Sequence, residues 1–271
     1  MPHPQRIDDP DDPRLKPYLH LTDPALRRGY EAGEGLFIAE GGLVLDRLIE
    51  SRFPVRSVLV TERAAPRVTQ RLARVDAEVF EVSEELARRI TGFHLHRGVL
   101  ACGARLPPSP FEDVARATVR PLVLEDIADQ TNMGSLFRNA AALGADAVLL
   151  SPGCCDPLYR RSVRVSMGAS LLLPFAYIEP WPEGLGRLSP THEVLALTPA
   201  GDAESIYEVV TETGASPVAL MLGTEGEGLT TAAQAMAARR VRIPMTERAD
   251  SLNVATAAAV ALSHLRSASG S

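Results

Sequence analysis

Apolar residues along the chain come in short blocks separated by stretches of helical spacing. Over the first hundred or so residues, blocks with strand character (GLFIAEG, VRSVLVT, AEVFEVS and RGVLACGA) alternate with the amphipathic stretches LVLDRLIES, RVTQRLARV and EELARRIT. That alternation predicts a small α/β sandwich. RLPPSPFED, residues 105–113, breaks both periods with its prolines and marks a domain boundary. Beyond it the strand blocks become apolar throughout: PLVLEDI, AVLLSPG, PFAYIE, EVLALTPAG, PVALMLG and RRVRIPM. Helical runs lie between most of them, among them GSLFRNAAALG, PLYRRSVRVSMGA, ESIYEVVTE and LTTAAQAMA, and LNVATAAAVALSHL closes the series. Such strands predict a parallel sheet covered on both faces, a class that binds ligands at the carboxyl ends of its strands. Residues 1–18, with four prolines and four aspartates in the first 13 positions, offer little to bury and read as a flexible arm. The expected organisation is an arm over 1–18, a first domain over 19–108 and a second over 118–271, without internal repeats.

A chain of 271 residues with 45% apolar content can support two modest cores. It contains no run of roughly 18 apolar residues of the kind that spans a bilayer, and its first residues are acidic and proline-broken, unlike a secretory signal. A soluble, cytoplasmic protein is expected. The cysteines are Cys102, Cys154 and Cys155, with no C-x-x-C spacing and no paired histidines nearby. They read as reduced thiols in a protein without a bound metal. The net charge of -6 argues against a nonspecific nucleic-acid coat. Residues 1–110 hold 16 basic and 16 acidic side chains and residues 111–271 hold 12 and 18, so a local basic face remains possible.

Four places in the second domain carry residues that packing alone would not select. After PLVLEDI, Asn132 and Ser135 are candidate helix caps, Gly134 permits a tight turn and Gly144 suits the helix end. Arg138 then falls about one turn inside the helix. It reads either as a solvated arginine or as a fork for a phosphate or polarised oxygen near the helix N-terminus. The loop GTEGEGL, residues 223–229, has the order G-x-x-G-x-G, which is neither the dinucleotide fingerprint nor a P-loop. Glu225 and Glu227 make it a poor cradle for pyrophosphate and a better one for a cationic or hydroxyl-rich ligand. RRVRIPM stops at Pro244, and the helix that follows has Ser251 and Asn253 as polar exceptions at its start, with an alanine face suited to close packing against another helix or chain. Capping accounts for Ser251 and less readily for Asn253. Arg160, Arg161 and Arg164 form either a solvated surface or a strip that tracks phosphates.

Taken together and in order, N132-M-G-S-L-F-R138-N-A, G223-T-E-G-E-G-L229 and I243-P-M followed by S251-L-N-V254 resemble the signature motifs of the SpoU (TrmH-type) RNA 2′-O-ribose methyltransferases of the SPOUT superfamily. The resemblance includes R164-V-S-M-G-A169 and extends more loosely to LFIAEGGLVLDRLI and HRGVLACGA, which are similar to the N-terminal RNA-binding domain of such enzymes. Thr224 and Asn139 depart mildly from the usual residues. The resemblance implies a Rossmann-like sheet tied in a trefoil knot and a homodimer. It implies S-adenosylmethionine held by Leu197, Thr198, Gly201, Leu222, Gly223, Gly226, Ile243, Met245 and Leu252. It implies catalysis by Arg138, with Asn132, Glu225, Ser251 and Asn253 positioning it and the ribose, and RNA contacts from Arg160, Arg161 and Arg164. Ribosomal RNA is expected ahead of tRNA as substrate. A noncatalytic RNA-binding factor on the same fold is the rival reading, and a nucleotide-dependent oxidoreductase is disfavoured because G-x-G-x-x-G follows the first strand of neither domain. His94 and His96 either stack on RNA bases or are structural.

Overall fold

The structure, a computed structural model, describes residues 3–213, 217–246, 248 and 250–268. It divides into two compact units, Met1–Pro107 with Leu158–Leu172, and Pro108–Pro157 with Leu173–Ser271. Among the described residues no helix is long and apolar enough to cross a membrane.

The first unit runs β1 (Gln5–Arg6), α1 (Pro24–Gly33), β2 (Leu36–Glu40), α2 (Gly42–Glu50), β3 (Val55–Thr61), α3 (Ala65–Arg71), β4 (Glu78–Val82), α4 (Glu84–Thr91) and β5 (Val99–Ala104). Its sheet has the order β1-β4-β3-β5-β2, with β5 antiparallel to both neighbours and the other pairings parallel. Helix α4 has complete local signals. Ser83 accepts from the Leu86 amide, Glu84 and Glu85 occupy the first turn, and Arg88 and Arg89 occupy the last. Each arrangement favours the helix dipole or its free amides.

Residues 5–7 and 13–18 are packed, where composition suggested a flexible arm. β1 pairs with β4 and forms the edge of the sheet, Ile7 is buried, and the 3-10 turn Pro13–Tyr18 inserts Leu15 and Tyr18 into the core at full burial. The Tyr18 hydroxyl and Ser57 Oγ share a hydrogen bond of 2.7 Å. Three apolar side chains among prolines and aspartates give no periodicity, but they need only an open sheet edge to bury against.

The second unit contains α5 (Phe111–Ala117), β6 (Pro121–Leu124), α6 (Gln130–Leu143) and β7 (Ala147–Leu150). The chain then builds α7 (Arg160–Val165) and α8 (Ala169–Leu172), which belong to the first unit and not to the second, where the sequence pattern put them. Arg160 explains the attachment: it pairs with Glu40 at 2.7 Å, donates to the Leu21 carbonyl at 3.1 Å and lies over the Phe93 ring. The second unit resumes with β8 (Phe175–Tyr177), β9 (Glu193–Leu197), β10 (Glu204–Ser205), α9 (Ile206–Thr213), β11 (Val218–Leu222), α10 (Thr231–Ala235), β12 (Arg239–Arg242) and α11 (Val254–Ala268). All seven strands are parallel, in the order β10-β12-β9-β11-β6-β7-β8. The strands β6, β7 and β11 are buried at every position, as continuous apolar runs require. Ala255, Ala258 and Ala261 of α11 are buried, and α11 packs along α6 of the same chain. The alanine face thus has an intramolecular partner.

Candidate active site

A cavity of about 280 Å³ opens where three neighbouring strands end, lined by residues 197–199 after β9, 222–226 after β11, and Ile243 and Met245 after β12. Gly228 and the segment Ser251–Val254, with Ala257, complete the wall. Of the residues expected to hold the cofactor, Leu197, Thr198, Leu222, Gly223, Gly226, Ile243, Met245 and Leu252 line this cavity. Gly201 does not, while Pro199, Gly228, Val254 and Ala257 are additions that motif reading did not supply. The loop 223–229 folds tightly on itself, the Gly228 amide donating to the Thr224 carbonyl at 3.1 Å. A Cβ at Gly223 would lie 2.2 Å from the Gly228 backbone, so the turn closes only because that position is glycine.

Helix α6 starts earlier than its sequence suggests. Asp129 is the cap, its Oδ1 accepting from the Thr131 and Asn132 amides, each at 2.8 Å. Asn132, Gly134 and Ser135 therefore lie inside the helix, and Arg138 is about two and a half turns past the cap. The free amides of the helix end at residues 130–132 and do not reach Arg138, so this guanidinium acts as a charge in its own right. Arg138 is exposed and forms no hydrogen bond or ion pair with any described residue. Gly144 ends α6 as expected.

The polar residues singled out on three separate segments meet. Asn132 Nδ2 donates to Glu225 Oε1, and Asn253 Nδ2 donates to Asn132 Oδ1 at 3.0 Å. Asn253 Oδ1 in turn accepts from the Ala255 and Thr256 amides at 3.0 and 3.3 Å, so Asn253 is the cap of α11, a role the sequence assigned to Ser251. Ser251 lines the cavity without capping. Asn139, one of the two departures from the family pattern, donates to the Ala255 carbonyl at 2.7 Å and ties α6 to α11.

Glu125 was not singled out in the sequence, although it is a carboxylate directly after an otherwise apolar strand. It is 1% exposed. Its Oε1 accepts from Trp181 Nε1 and Thr230 Oγ1, both at 2.7 Å, and its Oε2 accepts from the Thr230 amide at 2.8 Å. Its own amide donates to the Leu222 carbonyl at 2.9 Å. One residue therefore holds both ends of the loop 223–229, and through Thr230 it also supports the cap of α10.

The arginines expected to contact RNA divide. Arg160 is occupied by Glu40, and Arg164 lies 3.6 Å from the same carboxylate but is half exposed. Arg161 is exposed. Burial raises all three cysteine thiols, Cys102 to about 11 and Cys155 to about 12, so none is an available nucleophile near neutral pH.

Residues 120–263 match the SpoU rRNA Methylase family. The chain belongs to that family. It is 44% identical to a protein of Mycobacterium tuberculosis named as an uncharacterized tRNA/rRNA methyltransferase, over 96% of this chain and 92% of that one. A 23S rRNA (guanosine-2′-O-)-methyltransferase of Haemophilus influenzae is 30% identical over 62% of this chain and 70% of its own. In fold, the chain is similar to an S-adenosylmethionine-bound rRNA methyltransferase from Sinorhizobium meliloti, with a TM-score of 0.81 at 24% identity over 97% of both chains. As a SpoU methylase the chain is an RNA methyltransferase that uses S-adenosylmethionine. The cavity fits that cofactor: leucine, isoleucine and methionine side chains suit an adenine ring, the glycine backbone offers hydrogen bonds at close approach, and Glu225 at the rim suits a cation. The same fit accounts for Leu252, a large apolar side chain left 38% exposed.

Proposed function

We propose that the chain methylates a ribose 2′-hydroxyl in ribosomal RNA, with Arg138 as the group that stabilises charge at the reacting oxygen. The observation that carries this reading is the hydrogen-bonded line Glu225–Asn132–Asn253, which joins the cofactor loop, α6 and α11 at the rim of the cavity. S-adenosylmethionine, when bound, supplies an electrophilic methyl group on a sulfonium. The loop residues Gly223–Gly226 and the segments 197–199 and 243–245 would hold it, with Leu252 over its apolar part.

The chain's own work is orientation and electrostatics. A 2′-hydroxyl is a weak nucleophile until its proton is drawn away, and a negative charge then grows on oxygen. Arg138 offers up to five N–H donors and no acceptor, so its role is to stabilise that oxygen and grip the adjacent phosphate, not to remove the proton. The hydroxyl proton leaves to water or to phosphate. Because Arg138 is bound to no described residue, its guanidinium is available for substrate. Asn132 and Ser251 present polar groups toward the ribose. The trefoil threading, the homodimer, a substrate-recognition role for the first unit and a preference for rRNA over tRNA belong to the same reading, supported by family resemblance and by the family's description.

The decisive experiment incubates the chain and methyl-labelled cofactor with purified rRNA and, separately, tRNA, followed by nuclease digestion and mass spectrometry. Ribose-methylated nucleosides from rRNA are expected. Methylation of bases alone, or of neither RNA, would overturn the assignment.

A further inference from the structure

Within the first unit, a concave groove of about 470 Å³ is bounded by the end of β3, the helix α3 and the turn before β5. Four arginines line it, Arg63, Arg67, Arg71 and Arg97, against a single carboxylate, Glu84. In a chain of net charge -6 this concentration is not a sampling of the average surface. Arg67 and Arg71 sit one turn apart on α3 and present one face. Arg71 is half committed, bonding the Gly42 carbonyl at 2.6 Å and Asp46 at 2.9 Å. Arg63, Arg67 and Arg97 are exposed and have no ion pair or hydrogen bond with any described residue. Free guanidiniums converging on a concavity repel one another, an arrangement that an anion relieves.

The turn adds a second chemistry. His94 and His96 are exposed on the groove wall with ring centroids 4.5 Å apart, a pair of flat faces beside the charge. Gly98 brings that turn against β3: its φ is +63°, and a Cβ there would come within 2.4 Å of Thr61 Oγ1. The charged wall and the ring wall are thus held close by the fold.

We propose that this groove binds an unpaired segment of RNA, with Arg63, Arg67 and Arg97 on its phosphates and the His94–His96 pair against a base. A concavity of this size takes a splayed nucleotide and its flanking phosphates rather than an A-form duplex, and stacking on flat side chains is how single-stranded RNA is read. This inference rests on the reading of the chain as an RNA methyltransferase. It moves the principal RNA grip of the first unit away from Arg160, which Glu40 occupies.

The test measures binding of the full chain to a short unstructured RNA, to a blunt RNA duplex and to inorganic polyphosphate, across a salt series, by fluorescence anisotropy or competition. The triple variant Arg63→Ala/Arg67→Ala/Arg97→Ala is expected to bind the unstructured RNA at least about tenfold more weakly and to lower the salt slope by about 2, since each single-strand phosphate contact contributes about 0.7. His94→Ala/His96→Ala should weaken the same RNA without changing the slope. The single variant Arg97→Glu is a second probe of the charge effect. Unchanged RNA affinity in the triple variant and in Arg97→Glu would overturn the proposal, and so would wild-type binding of duplex or polyphosphate as tight as that of the unstructured RNA. Calorimetry with S-adenosylmethionine separates the two readings. A triple variant that binds cofactor normally but has lost RNA supports the groove, whereas a wild-type chain that binds no cofactor defeats the enzyme assignment and leaves the RNA titrations to decide the groove.

Discussion

Asn253 donates from its side-chain nitrogen to Asn132 while its side-chain oxygen caps α11. The directions follow from the ends of the line. Glu225 can only accept, so the nitrogen of Asn132 faces it and the oxygen faces Asn253. The amides at the start of α11 can only donate, so Asn253 must turn its oxygen to them. Asn253→Asp separates the two roles, because aspartate caps a helix as well as asparagine does but has no N–H to give. Thermal midpoint is expected to stay within a few degrees of wild type, with methyl transfer reduced at least about tenfold. A variant of normal activity would remove the line from the mechanism.

Arg138→Ala should leave folding unchanged, since the side chain is exposed and bound to no described residue. Turnover is expected to fall by about 10² to 10³, the range seen when one donor to a developing oxyanion is lost. Calorimetric affinity for S-adenosylmethionine should be nearly unaltered. Near-normal turnover would reassign the residue.

Gly223→Ala puts a methyl group where the backbone of Gly228 already sits. The loop must open to accept it, and cofactor affinity should drop by more than about tenfold. Isothermal titration checks the outcome, with the far-UV spectrum confirming that the sheet is intact.

Glu125→Gln replaces an acceptor with a donor where Trp181 and Thr230 already supply three N–H and O–H groups. A buried mismatch of this kind costs about 1–3 kcal/mol. Denaturant unfolding should register that loss, and the cofactor dissociation constant should rise because the loop ends are no longer held. Glu125→Asp, which keeps the acceptors on a shorter stem, should recover part of the affinity.

Leu15→Ala tests whether the N-terminal segment belongs to the core. Leu15 is fully buried, so a cost of about 2–5 kcal/mol is expected in urea or guanidinium unfolding. A neutral substitution would restore the flexible arm that composition suggests.

The parts legible in the sequence are those whose signal is local and repeated. PLVL, AVLL and VALML announce buried strands because every position is apolar, and the ends of those strands are where the polar exceptions cluster. What escaped depends on a partner far along the chain. Asp129 and Asn132 are both good cap residues by type, and the cap falls at Asp129, three residues before the one the sequence offered. Ile7, Leu15 and Tyr18 show no period because a sheet edge, not a helix face, organises them. Glu125 looks like the polite end of a strand until Thr230, 105 positions later, comes to meet it.

The excursion of residues 158–172 has a consequence for any attempt to take the molecule apart. The backbone passes between the units three times, near residues 107, 157 and 172, so a single protease nick after Pro107 does not divide the chain along the unit boundary: residues 158–172 of the first unit stay attached to the second. A fragment ending at Pro107 would lack α7 and α8, stranding Glu40 without its guanidinium partner. Swapping the first unit of one such protein onto the second unit of another therefore calls for a graft at three seams, and a fusion made at only one would inherit fifteen residues shaped for somebody else's surface.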